Sequence, residues 1–122
     1  MSGPLDDFVE ALDRLEEVLD LPVNDVVRDA AIKRFEICFE LGWKSVQRSL
    51  RHEGLDCRSP RRCFELAYQQ GWIDDASWVA MIRDRNLTAH TYDRALAERV
   101  HEKLPAHFEA MRRLAEALSR TD

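Results

Sequence analysis

The stretch from residue 25 to residue 53 is nearly free of residues that break a helix. It contains no proline and a single glycine, Gly42. Apolar residues recur along it at helical spacing on two sides, whereas a helix that covers one core needs only one apolar stripe. The pattern predicts a long helix buried on two sides, either in the middle of a bundle or at a subunit interface. The two stripes are Val27, Ala31, Phe35, Cys38, Gly42, Val46 and Ile32, Phe35, Phe39, Trp43, Val46, Leu50.

Apolar residues at helical spacing and capping residues also predict a helix before the long one and the residues at which the long one begins and ends. Between Leu5 and Leu19 apolar residues recur at helical spacing with acids between them, and Pro4 suits the first turn of a helix. Asn24 can cap the long helix, and Gly54 can end it. The chain is therefore expected to begin with an amphipathic helix followed by the long one.

Three further helices are expected after the long one. Residues 59–71 begin with a Ser-Pro pair and end at a glycine, which is typical of a short helix. Asp74 or Asp75 can cap a fourth helix that ends near Ala89, and Asp93 can cap the last. That last helix contains an internal proline, residue 105, which should kink it.

No segment alternates with period two, and no internal repeat is present. The interpretation is an all-α fold: an up-and-down antiparallel helical bundle, four-helix-bundle-like with about five helices, that forms one domain over residues 1–122. With 122 residues, 45% of them hydrophobic, the chain can bury a core of its own.

Composition excludes several classes of protein. No apolar run is long enough to span a bilayer, and the N-terminus lacks a secretory pattern. The three cysteines show no C-x-x-C spacing, which argues against a zinc site and against a disulfide framework and favours a reducing cytoplasm. We expect a cytoplasmic protein without a bound metal or cofactor.

The net charge of −5 argues against a nucleic-acid partner until its distribution is considered. Eight acids and one arginine give residues 1–27 a charge of −7, and eight bases and ten acids give residues 63–122 a charge of −2. Residues 28–62 carry nine bases and five acids, a charge of +4. A basic middle segment thus leaves RNA binding open.

One segment concentrates side chains that can do chemistry. Arg85, Asn86, His90 and Tyr92 lie near the junction of the fourth and fifth helices, whereas His52, His101 and His107 stand among charged residues and are expected to face solvent. Arginine can bind a phosphate, and histidine can move the proton of a 2′-hydroxyl.

On a straight helix Arg85 and His90 would point about 140° apart. A shared site is easier if the helix ends near His90 or if a second protomer contributes. The alternative is structural: Arg85 pairs with an acid, His90 caps a helix and Tyr92 packs.

The spacing Arg85-Asn86-x-x-x-His90-x-Tyr92 resembles the R-x₄-H-x-Y signature of HEPN toxins (higher eukaryotes and prokaryotes nucleotide-binding). A wider pattern is similar to the nucleotidyltransferase substrate-binding-protein family, a branch of the same fold. Residues that carry it include Phe35, Glu36, Trp43, Lys44, Gly54, Ala67, Gly71, Trp72, Ile73, Trp78 and Met81.

The resemblance implies a homodimeric bundle and a minimal nucleotidyltransferase encoded nearby. In the toxin branch it implies a metal-independent ribonuclease of a toxin–antitoxin pair, with Arg85, His90 and Asn86 in the site. The nucleotidyltransferase then acts as antitoxin and adds AMP to Tyr92. The alternative that the family offers is a non-catalytic subunit that presents substrate to the transferase.

Two further sets of residues complete the expectations. Exposed arginines could hold RNA phosphates, and the second stripe of the long helix exceeds what one small bundle needs and could form the dimer interface. The RNA-binding candidates are Arg48, Arg51, Arg58, Arg61 and Arg62, and the interface candidates are Ile32, Phe39, Trp43 and Leu50.

Overall fold

The chain folds into five α-helices and one short 3₁₀ turn in a computed structural model that describes residues 3–73 and 77–121. No strand occurs in these residues, which confirms the all-α prediction. None of the described helices is long and apolar enough to cross a membrane. The elements are α1 (Pro4–Leu19), α2 (Asp25–His52), α3 (Pro60–Gln69), α4 (Ser77–Leu87), the 3₁₀ turn (Thr88–His90) and α5 (Arg94–Thr121).

The three long helices α1, α2 and α5 pack against one another, and the shorter α3 and α4 lie over α2 and α5. Arg94 bonds Asp25, which brings the starts of α5 and α2 together. Further along both helices the ring of His107 stacks on that of Phe35, so α5 runs parallel to α2. The short α1–α2 connection makes α1 antiparallel to α2, as an up-and-down bundle requires.

Capping residues act where the sequence predicts them. The side chains of Asn24, Ser59 and Asp93 each accept a hydrogen bond from the backbone N–H three residues later, at 2.8, 3.2 and 3.3 Å. Gly54 and Gly71 have φ angles of +79° and +80°, the left-handed conformation that glycine adopts without strain. These five residues confirm most of the predicted helix boundaries.

The boundaries of the fourth helix need a correction. Its α-helical part ends at Leu87, two residues before the expected end near Ala89, and the chain continues as the 3₁₀ turn. The two expected caps, Asp74 and Asp75, lie outside the described residues. Helix α5 is one continuous α-helix from Arg94 to Thr121 that includes Pro105.

Gly42 lets α1 approach α2 closely. A methyl group built at this position would lie 3.1 Å from Cζ of Phe8, a core ring with no exposed surface. The prediction that Gly42 permits a close helix contact is therefore confirmed, and the partner is α1 of the same chain.

The expected surplus apolar face on α2 is wrong. Ile32, Phe39 and Leu50 are 3%, 3% and 0% exposed within a single chain, and Trp43 is half-buried. Helix α3 covers this side of α2, where the ring of Phe64 lies 5.8 Å from that of Phe39. The second stripe is thus part of the chain's own core, because the short helices cover what the long ones leave open.

The cysteines also depart from expectation. Cys57 and Cys63 form a disulfide, with their Cα atoms 5.2 Å apart, and Cys38 is free and buried. An odd total leaves room for one pair, and the turn between α2 and α3 brings residues six apart into bonding range. The expectation of no disulfide was wrong, and the cysteine count carries no argument about the compartment.

The free thiol should be inert in the folded protein. Burial raises the pKa of Cys38 to about 12, so almost no nucleophilic thiolate exists near pH 8. In protein purified without reductant, a disulfide-exchange dye should detect no thiol in the native state. It should detect one thiol in denaturant, and three in denaturant after reduction. Cys38→Ser should give none in unreduced denaturant, and three thiols in unreduced denatured wild type would contradict the Cys57–Cys63 pairing.

Candidate functional site

Arg85 lies on the last turn of α4 and reaches toward α2. Its Nη1 donates to the Oγ1 of Thr88 at 3.3 Å, and that hydroxyl donates to the Arg85 carbonyl at 2.6 Å. Its Nη2 lies 3.8 Å from Oε1 of Glu40 on α2. The Nε is buried without a hydrogen-bond partner, although the side chain as a whole is 29% exposed. The guanidinium is thus held in place and retains a donor.

Asn86, His90 and Tyr92 follow this arginine closely in the chain, and all three are exposed. The α-helix ends at Leu87, so His90 belongs to the 3₁₀ turn, which agrees with the expectation that the helix ends near it. Tyr92 is 87% exposed, and its ring meets the ring of His90 edge-on at 6.1 Å. The phenol therefore does not pack into the core, and its hydroxyl is accessible to a modifying enzyme.

The structure brings these residues onto one short segment without linking them directly. The described partners of the Arg85 side chain are Thr88 and Glu40, so part of the structural alternative holds: this arginine does pair with an acid. The His90 carbonyl accepts the backbone N–H of Asp93, which closes the turn before α5. Both the arginine and the histidine remain open to a ligand on their solvent side.

Two residues beside Arg85 escaped the sequence reasoning. Glu40 accepts a hydrogen bond from the Trp43 indole at 3.2 Å and also faces Arg85, so it connects the tryptophan to the site. Thr88 is buried one turn after Arg85. The three-residue spacing between Arg85 and Thr88 was a usable signal. Nothing in the sequence pairs Glu40 with a residue 45 positions away.

A buried contact between a carboxylate and an imidazole lies next to Arg85 in the chain. The carboxylate of Asp84 has no exposed surface, and its Oδ2 is 2.6 Å from Nε2 of His107 on α5. The expectation that His107 faces solvent is wrong. It stands one turn after Leu104 and one turn before Met111, on the buried stripe of α5, and that spacing was the missed signal.

The predicted RNA-binding arginines lie along one end of α2 and onto α3. All five are exposed: Arg48, Arg51, Arg58, Arg61 and Arg62. Eleven residues separate Glu40, next to Arg85, from Arg51, a distance of about 16 Å along the helix. The basic residues therefore begin within about 16 Å of Glu40 along α2.

A cleft of about 210 Å³ lies next to Tyr92, between the starts of α2 and α5. Asp25 pairs there with both Arg28, at 2.8 Å, and Arg94, at 2.7 Å. Asp29 also lines the cleft, so two carboxylates balance the two guanidinium charges. Burial lowers the pKa of nearby His101, and the charge of Arg28 lowers it further. The cleft is therefore close to neutral near pH 7.

No three His, Cys, Asp or Glu side chains gather as potential metal ligands in residues 3–73 and 77–121. The groups that can do chemistry at the candidate site are thus the guanidinium, the imidazole, the amide and the phenol described above.

Comparison with known proteins decides the family. Residues 4–120 match the family described as nucleotidyltransferase substrate binding protein like. The chain belongs to this family. The match extends over nearly the whole chain and agrees with the resemblance found in the sequence.

One similar protein is named as a ribonuclease. A Haemophilus influenzae protein named probable ribonuclease HepT is 32% identical over 88 residues, which make up 67% of this chain and 60% of that protein. The aligned part therefore spans less than two thirds of that relative's length.

Two solved structures share the fold. A protein from Thermus thermophilus superposes with a TM-score of 0.86 at 38% identity, and the match covers 91% of this chain and 98% of the Thermus chain. A Haemophilus influenzae structure is described as the fold of a substrate binding domain of a nucleotidyltransferase. It superposes with a TM-score of 0.84 at 28% identity, and the match covers 94% of this chain and 98% of that chain.

Removing the imidazole behind the site should destabilise the fold. His107→Ala removes the hydrogen-bonding partner of the buried Asp84 carboxylate, and breaking such a buried contact costs about 3 kcal/mol or more. Arg83 and Lys103, at 3.6 and 3.8 Å from Oδ1, are too far away to replace the hydrogen bond. Urea unfolding should show this loss. His52→Ala, an exposed histidine at the end of α2, should change stability by less than about 1 kcal/mol. A loss in His107→Ala no larger than the His52 control would contradict a stabilising role for the pair.

Proposed function

We propose that this protein is a HEPN toxin-type, metal-independent endoribonuclease of a toxin–antitoxin pair, neutralised by a cognate minimal nucleotidyltransferase. The observation that carries the proposal is the grouping of Arg85, Asn86 and His90 on one short segment. The guanidinium is held by contacts to Thr88 and Glu40 and its side chain is 29% exposed, and the amide and the imidazole that follow it in the chain are exposed. The relative named probable ribonuclease HepT supports the same activity.

The chemistry assigned to these residues needs no metal. Arg85 binds the scissile phosphate and stabilises the charge that grows on it as the 2′-oxygen attacks phosphorus. His90 accepts the 2′-hydroxyl proton, and a second acid protonates the departing 5′-oxygen. The products of this step are a 2′,3′-cyclic phosphate and a 5′-hydroxyl.

A homodimer is part of the proposal because one chain offers one His90. A second copy related by a two-fold axis would bring a second imidazole to the same groove, so one could act as base and the other as acid. The apolar stripe of α2 does not supply the interface, since its residues are buried within each chain. Trp43, half-buried beside Glu40, is the one member still available at the surface.

The basic residues on α2 and α3 are assigned to the RNA backbone. Phosphate contacts by exposed arginines give affinity without sequence preference. Arg58 and Arg62 also pair with Asp56 and Glu65, at 3.1 and 3.7 Å, and such exposed pairs are weak enough to exchange for phosphate.

Purified protein should cleave RNA in the presence of EDTA. We expect Arg85→Ala and His90→Ala each to lower the rate by about 100-fold or more, since each removes a group that acts on the transition state. His52→Ala is the matched control, an exposed histidine remote from Arg85 along the chain, and should keep wild-type activity. The assay uses tRNA and total RNA, with products resolved on gels.

Failure of this assay would favour the other description in the family. If protein shown by intact mass to be unmodified cleaves neither RNA, the chain is better described as a non-catalytic substrate-binding subunit, as the Haemophilus structure is named. Expression should then be harmless to cells and co-expression with the transferase should give a stable complex. Growth arrest that depends on His90 would exclude this alternative.

Tyr92 is the proposed site of control. AMP attached to an exposed phenol 6.1 Å from the His90 ring, measured between centroids, adds negative charge and bulk where the RNA phosphate binds.

Incubation with the transferase and ATP should add AMP to wild type but not to Tyr92→Phe, by intact mass. Tyr92→Phe should remain an active ribonuclease that the transferase does not silence. Tyr68, another exposed tyrosine, provides the control: Tyr68→Phe should be modified like wild type. An unchanged wild-type mass with a demonstrably active transferase would reject the assignment.

A further inference from the structure

The rotation of α4 about its own axis determines where Arg85 points. Adjacent side chains on an α-helix lie about 100° apart, so Arg85 can face Glu40 on α2 only while Asp84 faces α5. Of the described residues of α4, only Met81 and Asp84 are buried. Trp78, Ile82 and Leu87 pack partly buried against the core, so apolar contacts also limit the rotation of this helix.

The buried directional contact of this helix is the Asp84–His107 pair. The carboxylate is fully buried, and the imidazole, 6% exposed, stacks on the Phe35 ring at 5.5 Å. The imidazole is thus held between α2 and α4, and its Nε2 has one place to meet a partner. Any other rotation of α4 would leave a buried polar group unpaired, which is strongly unfavourable.

The neighbouring cations do not replace this contact. Arg83 and Lys103 lie 3.6 and 3.8 Å from Oδ1 of Asp84, beyond hydrogen-bond distance, and their side chains are 61% and 49% exposed. They add a favourable charge but no fixed direction. The directional bond to Asp84 comes from His107 alone among the described contacts.

We infer that Asp84 and His107 are a positioning pair for Arg85: their buried contact sets the rotation of α4 and so aims the guanidinium at the RNA phosphate. The pair touches no substrate. The catalytic part of this inference rests on the ribonuclease proposed above, whereas the aim of the Arg85 side chain is a property of the folded chain.

Three variants separate positioning from stability. His107→Leu keeps the volume but removes the donor, and His107→Gln keeps an N–H that can reach Asp84. Leu114→Ala removes core packing two turns along α5, away from Asp84. Each is first shown by urea unfolding to be more than about 95% folded under assay conditions, a population that two-state analysis provides.

We expect His107→Leu to lower kcat by about 100-fold, the effect of misplacing a catalytic group by about an ångström. KM should change by less than about 3-fold, because the exposed arginines that bind the backbone are untouched. His107→Gln should restore kcat to within about 5-fold of wild type, and Leu114→Ala should leave kcat unchanged. A folded His107→Leu with wild-type kcat, or an equal fall in Leu114→Ala, would overturn the inference.

A second readout does not depend on activity. The Nε–Hε resonance of Arg85, identified by its absence in Arg85→Lys, should shift in His107→Leu and stay in place in His107→Gln and Leu114→Ala. If wild type cleaves no RNA, the proposed function fails while this resonance still decides the positioning role. An unchanged resonance in His107→Leu would overturn it.

Discussion

Burial of α2 on both of its apolar sides is the constraint on which the rest of the structure depends. One side receives α1, closely enough that Gly42 meets the ring of Phe8. The other is covered by α3, through Phe64 on Phe39. Helix α2 passes through the middle of the bundle, so residues on its remaining surface are available to contact the shorter helices. Glu40 is one of them, and it faces Arg85 of α4.

The candidate site combines side chains whose positions have different origins. Arg85 is oriented by tertiary contacts, with Glu40 on one side and the Asp84–His107 pair behind it. His90 and Tyr92 are placed by local backbone geometry, a 3₁₀ turn followed by the capped start of α5. A polar pair in the core is an uncommon way to hold a helix, since well-packed apolar residues of similar volume are often as stable or more so. Its retention next to Arg85 is understandable if orientation, rather than stability, is what it provides.

Local signals in the sequence predicted most of the fold. Caps such as Asn24 and Ser59, and glycines at residues 54 and 71, act within a few residues of their own position, so periodicity and residue type were sufficient. Long-range pairing was not accessible in this way. The second stripe of α2 was assigned to an interface because a linear pattern shows that a surface is apolar without showing what covers it.

The site shows the same division. Arg85, Asn86, His90 and Tyr92 lie close together in the chain, so their grouping could be predicted. His107 and Glu40 are far from them in sequence. The sequence predicted that His107 faces solvent, and it gave Glu40 no role. The Cys57–Cys63 disulfide was missed because the turn after α2, rather than the cysteine spacing, brings the two residues together.

The position of Tyr92 makes it suited to control without a structural change. Its ring is almost fully exposed and contacts the His90 ring, while the next residue, Asp93, caps α5 through its own side chain. A group attached to the phenol would therefore project into solvent beside the imidazole and leave the cap and the core contacts intact. Control at this position would act through charge and access at the RNA-binding surface, and the stability of the bundle would not need to change.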